Sequence, residues 1–189
     1  MKKVILIGDS ISMGYRGCVQ SELIGIATCW GPAENGGTSR NVLAHLDDWV
    51  LTRPADVIHL NCGLHDLKRE FGAPETAVPL AEYEQNVRLI FQRIREHSTA
   101  RLIWATTTPV NEAWHHRVKA FDRCEADVAA YNAAALGVAT ELGVAVDDLF
   151  AVVEQAGRDK LLLEDGVHFK PDGYVLLGAA VSRSVRAAL

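Results

Sequence analysis

The chain has 189 residues, which suits one domain of ordinary size with a sizeable core. Apolar residues make up 49% and charged residues 23%, a globular composition that excludes a disordered or fibrous chain. The formal net charge is −5 with no long run of one sign, which argues against nucleic acid as the main partner, and no apolar run approaches a membrane span. We expect a single domain over residues 1–189 that is soluble and cytoplasmic and has no membrane partner.

The N-terminus and the cysteines fit this expected location. Lys2 and Lys3 precede an apolar run, but that run is too short for a signal peptide and Gly-Asp-Ser interrupts it. The four cysteines are scattered and form no Cys-x-x-Cys pair, so neither a zinc site nor a thioredoxin-like motif is indicated. We expect them to be reduced, small core residues, with Cys62 a packed and inert thiol.

Short apolar runs alternate with segments of helical periodicity from one end of the chain to the other. The first run, residues 4–7, is apolar throughout, which is typical of a strand buried on both faces of a sheet, and it ends at Gly8-Asp9-Ser10. Further strands are predicted over 25–30, 56–62, 101–108 and 143–147, and helices over 12–24, 40–50, 80–97, 122–142, 148–156 and from 171 to the C-terminus. Five strands alternating with helices predict a three-layer α/β/α fold whose five-stranded parallel sheet is doubly wound, in flavodoxin-like order.

Polar residues mark where these elements begin and end. Ser12 is the predicted cap of the first helix, and Thr38 or Ser39 that of the second. The segments 67–80 and 109–120 are predicted loops. Residues suited to chemistry follow the first, second, third and fifth strands, and the carboxyl ends of parallel strands share one edge of a sheet. We therefore expect these residues to converge at that edge.

Three of them have the chemistry of acyl transfer by serine, which needs a nucleophile, a base held in one tautomer, and donors for an oxyanion. Ser10 lies between a buried strand and a helix and is the candidate nucleophile. Asp165 and His168 are three residues apart in one loop, so the carboxylate can hold one ring nitrogen while the other faces Ser10. The expected oxyanion donors are the backbone N–H groups of Ser10 and Gly37 and a side chain from the turn at 63–66.

The same residues resemble the SGNH hydrolases, also called the GDSL-type esterases and lipases. The four matching blocks are Gly8-Asp9-Ser10-Ile11, the second-block glycine Gly37, Gly63-Leu64-His65-Asp66 where the family has Gly-x-Asn-Asp, and Asp165-Gly166-Val167-His168. Any one block is weak evidence, but four in the family's order, over nearly the whole chain, are strong. The resemblance implies hydrolysis of an ester through an acyl-enzyme on Ser10, without a cofactor or metal, on a flavodoxin-like sheet.

One block departs from the family's pattern, because His65 stands where the family has an asparagine that donates to the oxyanion. A neutral imidazole can donate one N–H, provided that a neighbour fixes its tautomer. A protonated His65 would donate more strongly and would make activity depend on pH on the acid side. We therefore expect His65 to replace the amide, with Asn61, inside the preceding strand, as the minor alternative.

Other residues near the motifs have both a structural and a substrate-binding interpretation. They are Asp9, Arg40, Trp114, His115 and His116. Asp9 is expected mainly to stabilise its turn through the backbone, and Arg40 is expected mainly on a helix surface. Trp114 and the two histidines either line a substrate pocket or form an exposed polar loop. Asp66 is expected to brace the turn after the third strand.

The predicted activity is hydrolysis of a short-chain ester, because the chain is compact and has no long apolar lid segment. By family analogy an acetyl group on a carbohydrate is one candidate substrate, so the expected partner is a small ester such as an acylated sugar. Two alternatives remain open. The same triad can transfer the acyl group to an acceptor other than water, and the change to His65 alone favours a catalytically decayed module that binds glycans.

Overall fold

The computed structural model describes residues 1–189 and has a five-stranded parallel sheet at its centre. The strands are β1 (Lys2–Ile7), β2 (Ala27–Trp30), β3 (Val57–Leu60), β4 (Arg69–Glu70), β5 (Arg101–Ala105), β6 (Phe121–Asp122) and β7 (Ala145–Asp147). The central sheet has the order β2-β1-β3-β5-β7, and β4 pairs with β6 in a separate antiparallel ribbon. The predicted doubly wound α/β fold, with its five strands in flavodoxin-like order, is thereby confirmed.

Helices pack on the sheet in two groups, α1 against α8 and α3 against α5. The helices are α1 (Ser10–Glu22), α2 (Ser39–Ala44), α3 (Leu80–His97), α4 (Glu112–Val118), α5 (Glu125–Leu142), α6 (Leu149–Ala156), α7 (Arg158–Leu161) and α8 (Pro171–Ala188). One continuous core of 45 buried residues joins the sheet to both groups. No helix is both long enough and apolar enough to span a bilayer.

The register of the sheet aligns the carboxyl ends of its central strands. Ile7 at the end of β1 pairs with Leu60 of β3, and Leu60 pairs with Trp104 of β5. All three side chains are buried, as expected for strands covered on both faces. The turns that follow β1 and β3 therefore leave the sheet side by side, and these turns carry Ser10 and the segment 63–66.

The predicted start of the first helix was wrong by two residues. Helix α1 begins at Ser10, and its cap is Asp9, whose carboxylate accepts the N–H of Ile11 at 3.0 Å. Ser12 is buried inside the helix instead of capping it. At the second helix the cap is Thr38, whose hydroxyl accepts the N–H of Asn41, and the single helix predicted over 40–50 is divided into α2 and a π-helical turn at Asp47–Leu51.

The two predicted loops contain regular structure. Strand β4 lies within 67–80 and pairs with β6, which delays the start of α5 to Glu125 from the predicted 122. Helix α4 lies within 109–120 and begins where the side chain of Asn111 accepts the N–H of Trp114. Strands of two residues are too short to show a period in the sequence. The pairing of β4 with β6 depends instead on tertiary contacts, such as the bidentate ion pair of Arg69 with Asp127.

The prediction that the cysteines are core residues holds only for Cys62. Cys18, Cys29 and Cys124 are half-buried, and all four thiols are free. Burial raises the pKa of Cys62 well above its usual value and keeps the thiol in its unreactive protonated form.

Helices α1 and α8 approach closely through glycine. A Cβ on Gly178 of α8 would lie 2.5 Å from the Cβ of Cys18 of α1, closer than two such carbons can approach. Gly14 of α1 faces the ring of Tyr174 in the same way, at 2.1 Å. The two helices can therefore contact each other along their length only with hydrogen atoms at these positions.

We expect Gly178→Ala to destabilise the protein, because overpacking of about 1–3 kcal/mol outweighs the gain in helix propensity of at most about 1 kcal/mol. The matched control is Gly137→Ala in α5, where an added Cβ meets nothing within 4 Å and only the propensity gain remains. Urea denaturation should show the free energy of unfolding lowered in the first variant and raised in the second. Equal shifts would contradict the packing argument.

Candidate active site

The turn after β1 and the loop before α8 bring together two side chains that are 158 residues apart in the chain. The hydroxyl oxygen of Ser10 lies 2.8 Å from Nε2 of His168. Ser10 is the first residue of α1, and His168 comes three residues before Pro171, where α8 begins. The packing of α1 on α8 therefore places the hydroxyl within hydrogen-bonding distance of the imidazole.

Asp165 holds the other side of this imidazole. Its Oδ2 atom lies 2.6 Å from Nδ1 of His168, and its Oδ1 atom accepts the backbone N–H groups of Val167 and His168 at 3.0 and 2.9 Å. Burial raises the pKa of Asp165, but the hydrogen bonds from the His168 ring and from the two N–H groups outweigh it and hold the pKa well below its usual range. The ionised carboxylate favours the tautomer with the proton on Nδ1, which leaves Nε2 as an acceptor facing Ser10.

The loop that carries Asp165 is fixed by neighbours from α4. The ring of His115 is buried and hydrogen-bonds the backbone carbonyl of Asp165 at 3.0 Å, while Asn111 donates its N–H to the carbonyl of Gly166 at 2.8 Å. Gly166 has φ of +69°, and a Cβ there would lie 2.4 Å from the carbonyl oxygen of Asn111. Glycine is thus required for the tight turn between Asp165 and His168.

Two of the three expected oxyanion donors are backbone N–H groups. They differ in whether the N–H already donates a hydrogen bond within the protein. Ser10 occupies the first helical position, where an N–H has no intrahelical acceptor. The N–H of Gly37 instead donates to the side chain of Asn35 at 2.8 Å, in an exposed hydrogen bond. The adjoining Gly36 donates to the carbonyl of Gly8 at 2.9 Å, which ties the glycine loop to the turn that carries Ser10.

The third expected donor, His65, is half-buried and its ring makes no hydrogen bond. The expected neighbour that would fix its tautomer is therefore not found. Burial lowers the pKa of His65, with a smaller opposing effect from the charge of Asp9, so the imidazole is neutral near pH 7. The side chain of the alternative, Asn61, is buried, and its Oδ1 atom lies where a Cβ of Gly8 would be.

Asp66 connects the turn after β3 to the start of α2. Its carboxylate accepts the N–H of Ser39 at 2.8 and 3.0 Å and the hydroxyl of Ser39 at 2.5 Å, and Asn86 donates to that hydroxyl at 3.0 Å. The group is fully buried, and burial raises the pKa of Asp66 to about 6 although the hydrogen bonds from Ser39 lower it. This buried contact holds the segment of His65 beside the glycine loop. Sequence reasoning missed Ser39 and Asn86 as partners of Asp66, because nothing in the local pattern distinguishes them.

The remaining candidates are distributed around this centre. Asp9 caps α1, and Arg40 forms an exposed bidentate ion pair with Glu82. His115 is buried beneath the Asp165 loop, so it does not line an open pocket. His116 is exposed and pairs with Asp122 at 2.7 Å. Trp114 is half-buried and lines an open cleft beside Asp165. No three His, Cys, Asp or Glu side chains converge as a metal site would require.

The protein therefore has an α/β fold in which a serine, a histidine and a carboxylate are in contact one after another at one edge of the sheet. The model of the GDSL-like lipase/acylhydrolase family matches residues 6–176, and the chain belongs to this family. The match runs from within β1 into α8 and so includes every part of the site.

Three individual proteins are similar to this chain at 28% sequence identity or less. A GDSL esterase/lipase of Arabidopsis thaliana is 28% identical over 123 residues, which cover 59% of this chain and 51% of that protein. The chain thus spans about half the length of the curated relatives it matches. The fold is similar to that of a lipase/acylhydrolase from Enterococcus faecalis, with a TM-score of 0.82, 22% identity and coverage of 99% and 96% of the two chains. It is also similar to an acetylxylan esterase from Geobacillus stearothermophilus, with a TM-score of 0.77, 20% identity and coverage of 97% and 94%.

The raised pKa of Asp66 predicts a specific pH dependence of stability. Unfolding restores the usual value, so the contribution of Asp66 is greatest below about pH 4 and is lost as the pH rises through about 6. The change is on the order of 2–3 kcal/mol, since one pKa unit corresponds to about 1.4 kcal/mol. Urea denaturation of the wild type and of Asp66→Asn at both ends of this pH range should show the wild type losing more stability on the alkaline side. A pH-independent difference would contradict the shift.

Proposed function

We propose that the protein is a serine esterase that cleaves short-chain acyl esters through an acyl-enzyme on Ser10. The observation that carries this proposal is the continuous contact from the Ser10 hydroxyl through the His168 ring to the Asp165 carboxylate, at 2.8 and 2.6 Å. Membership of the GDSL-like lipase/acylhydrolase family supports it. The residues 1–189 are proposed to act as one domain, with a small ester as substrate.

The proposed mechanism uses each member of this contact once in each half of the reaction. As the Ser10 oxygen attacks the ester carbonyl, Nε2 of His168 accepts the hydroxyl proton, and the Asp165 carboxylate stabilises the imidazolium. The imidazolium then protonates the leaving alcohol, and the acyl group remains on Ser10. Water, deprotonated by His168, attacks the acyl-enzyme and releases the carboxylic acid and the free serine.

The negative oxygen of the tetrahedral intermediate needs donors that point at it. We infer that the N–H groups of Ser10 and Gly37 and the neutral ring of His65 supply them. The N–H of Gly37 is then required to leave the side chain of Asn35, an exchange that costs little because their hydrogen bond is exposed. His65 makes no hydrogen bond within the protein, so its N–H is available to substrate.

The proposed acyl group is short, with acetyl as the first candidate. The segments that flank the site, β4, α4 and β6, are two to seven residues long and provide no extended apolar lid. The similarity of fold to an acetylxylan esterase is compatible with an acetyl ester on a carbohydrate. Neither acyl transfer to another acceptor nor a decayed binding module is favoured by a specific observation, and the intact contact with His168 weighs against a decayed site.

The direct test is hydrolysis of p-nitrophenyl acetate by the wild type and by Ser10→Ala. We expect the variant to lose at least about a thousandfold in kcat, because the nucleophile is absent. A fluorophosphonate should label the wild type and not this variant. The matched control is Ser21→Ala, in the exposed part of the same helix, which should keep both properties. Equal rates for wild type and Ser10→Ala would reject the mechanism.

The role of His65 has its own test. Removing one oxyanion donor lowers kcat by a factor on the order of 10²–10³, so we expect His65→Ala to lower kcat by that factor. His65→Asn supplies an amide N–H in place of the imidazole N–H and should stay within about tenfold of the wild type. Initial rates with p-nitrophenyl acetate decide between these outcomes, and an unchanged kcat in His65→Ala would remove His65 from the oxyanion site.

A further inference from the structure

Arg123 is a buried cation beside the site that forms no direct ion pair in the protein. Its side chain follows β6, the residue is 6% exposed, and no carboxylate oxygen lies within 4.0 Å of its nitrogens. Its Nε atom donates to the carbonyl of Leu64 at 2.6 Å, and its guanidinium lies 5.0 Å from the centre of the Phe121 ring. Burial of a charge that makes no direct ion pair is costly.

The unused part of the guanidinium is open to solvent. Its two terminal nitrogens donate to no acceptor in the protein, and neither of them is fully shielded from solvent. Arg16 provides the contrast, because its Nε and Nη2 atoms are sealed inside the protein and unpartnered. Arg123 therefore presents a free pair of N–H donors outward from a largely desolvated position, and such a pair matches the two oxygens of a carboxylate.

The position of Arg123 places these donors at the site. Leu64, whose carbonyl it binds, directly precedes His65 in the turn after β3. The charge of Arg123 contributes to the lowered pKa of His65, and the charges of Asp9 and Asp165 act on Arg123 in turn. Burial lowers the pKa of Arg123, but an arginine remains charged at any working pH.

Two lysines extend the same positive region. Nζ of Lys68 lies 4.4 Å from the centre of the Phe121 ring and pairs with the exposed Glu70, and Nζ of Lys119 lies 3.4 Å from Oδ2 of Asp165. A protein with a net charge of −5 thus concentrates cations along one side of its candidate active site. Both lysines are paired with carboxylates, so Arg123 is the cation of this group that makes no ion pair within 4.0 Å.

We propose that Arg123 binds a carboxylate on the substrate, so that the enzyme prefers esters with a negatively charged acyl or alcohol half, such as acylated acidic sugars, over neutral esters. The inference rests on the proposed esterase function and narrows its substrate class. The incoming carboxylate supplies the direct ion-pair partner that Arg123 lacks and accepts N–H groups from both terminal nitrogens. The hydrogen bond from Nε to Leu64 also positions the 63–66 turn, but that role uses only one of the five donors.

The experiment compares kcat/KM for two matched pairs of esters. In the first pair, p-acetoxybenzoate carries a carboxylate on the alcohol half and p-acetoxybenzamide is its neutral counterpart. In the second pair, mono-p-nitrophenyl succinate carries a carboxylate on the acyl half and p-nitrophenyl butyrate is its neutral counterpart. The readout is the anionic-to-neutral ratio in each variant relative to wild type, because intrinsic reactivity cancels in this comparison. The variants are Arg123→Met, Arg123→Lys and the control Arg117→Met, which removes an exposed cation from α4.

For one of the two pairs we expect Arg123→Met to lower the ratio by roughly 10–100-fold, the value of a charge-assisted hydrogen bond. Arg123→Lys should retain part of the preference, and Arg117→Met should stay within about twofold of wild type, since exposed charges contribute little. The pair that responds identifies which half of the substrate carries the carboxylate.

Three results would overturn the inference. If Arg123→Met lowers both members of each pair by the same factor, Arg123 only positions the turn, and the esterase function stands. If the wild type hydrolyses neither p-nitrophenyl acetate nor any of the four esters, the proposed function fails and the inference fails with it. Should Arg123→Met not fold, the wild type decides alone. We expect p-hydroxybenzoate or succinate to inhibit p-nitrophenyl acetate hydrolysis at about a tenth of the concentration needed for the matching amide, and equal inhibition overturns the inference.

Discussion

The close packing of α1 on α8 is the constraint on which the rest of this structure depends. Gly178 lets the two helices approach closely, because a Cβ there would collide with the Cβ of Cys18, and a Cβ on Gly14 would displace the ring of Tyr174. Ser10 begins the first of these helices, and His168 lies just before the second. The 2.8 Å contact between them therefore depends on this helix packing, together with the local turns that carry Ser10 and His168.

Polar contacts then hold the remaining parts of the site to this pair of helices. Asp66 binds Ser39 and so joins the turn after β3 to the glycine loop, and Gly36 joins that loop to the turn of Ser10. Each contact is buried and pairs its groups fully, which is the condition under which buried polar groups are tolerated. His65 and the terminal nitrogens of Arg123 have no hydrogen-bond partner in the protein, and neither group is fully shielded from solvent. Groups left free in this way are the ones available to a substrate.

Hydrophobic periodicity and the order of the motifs predicted most of the fold correctly. The four consecutive apolar residues of β1 and the regular spacing of apolar residues in α3 predicted these elements correctly, with α3 placed at Leu80–His97 as in the prediction over 80–97. The errors lie where an element is too short to have a period, as in β4 and β6, or where a side chain outside the expected cap satisfied the helix end, as with Asp9. Short elements are decided by their tertiary neighbours, which a local pattern does not contain.

The sequence by itself determined the family blocks, the doubly wound sheet and the identity of Ser10, Asp165 and His168 as the residues to examine. The sheet and the three residues follow from local spacing and from the rule that parallel strands end at one edge, and the blocks follow from the resemblance to the SGNH hydrolases. Only the tertiary structure decided that the N–H of Gly37 is held by Asn35, that His115 is buried under the Asp165 loop, and that Arg123 is desolvated without a direct ion pair. Each of these depends on distances between segments far apart in the chain, and those distances are set by packing, which no stretch of sequence contains on its own.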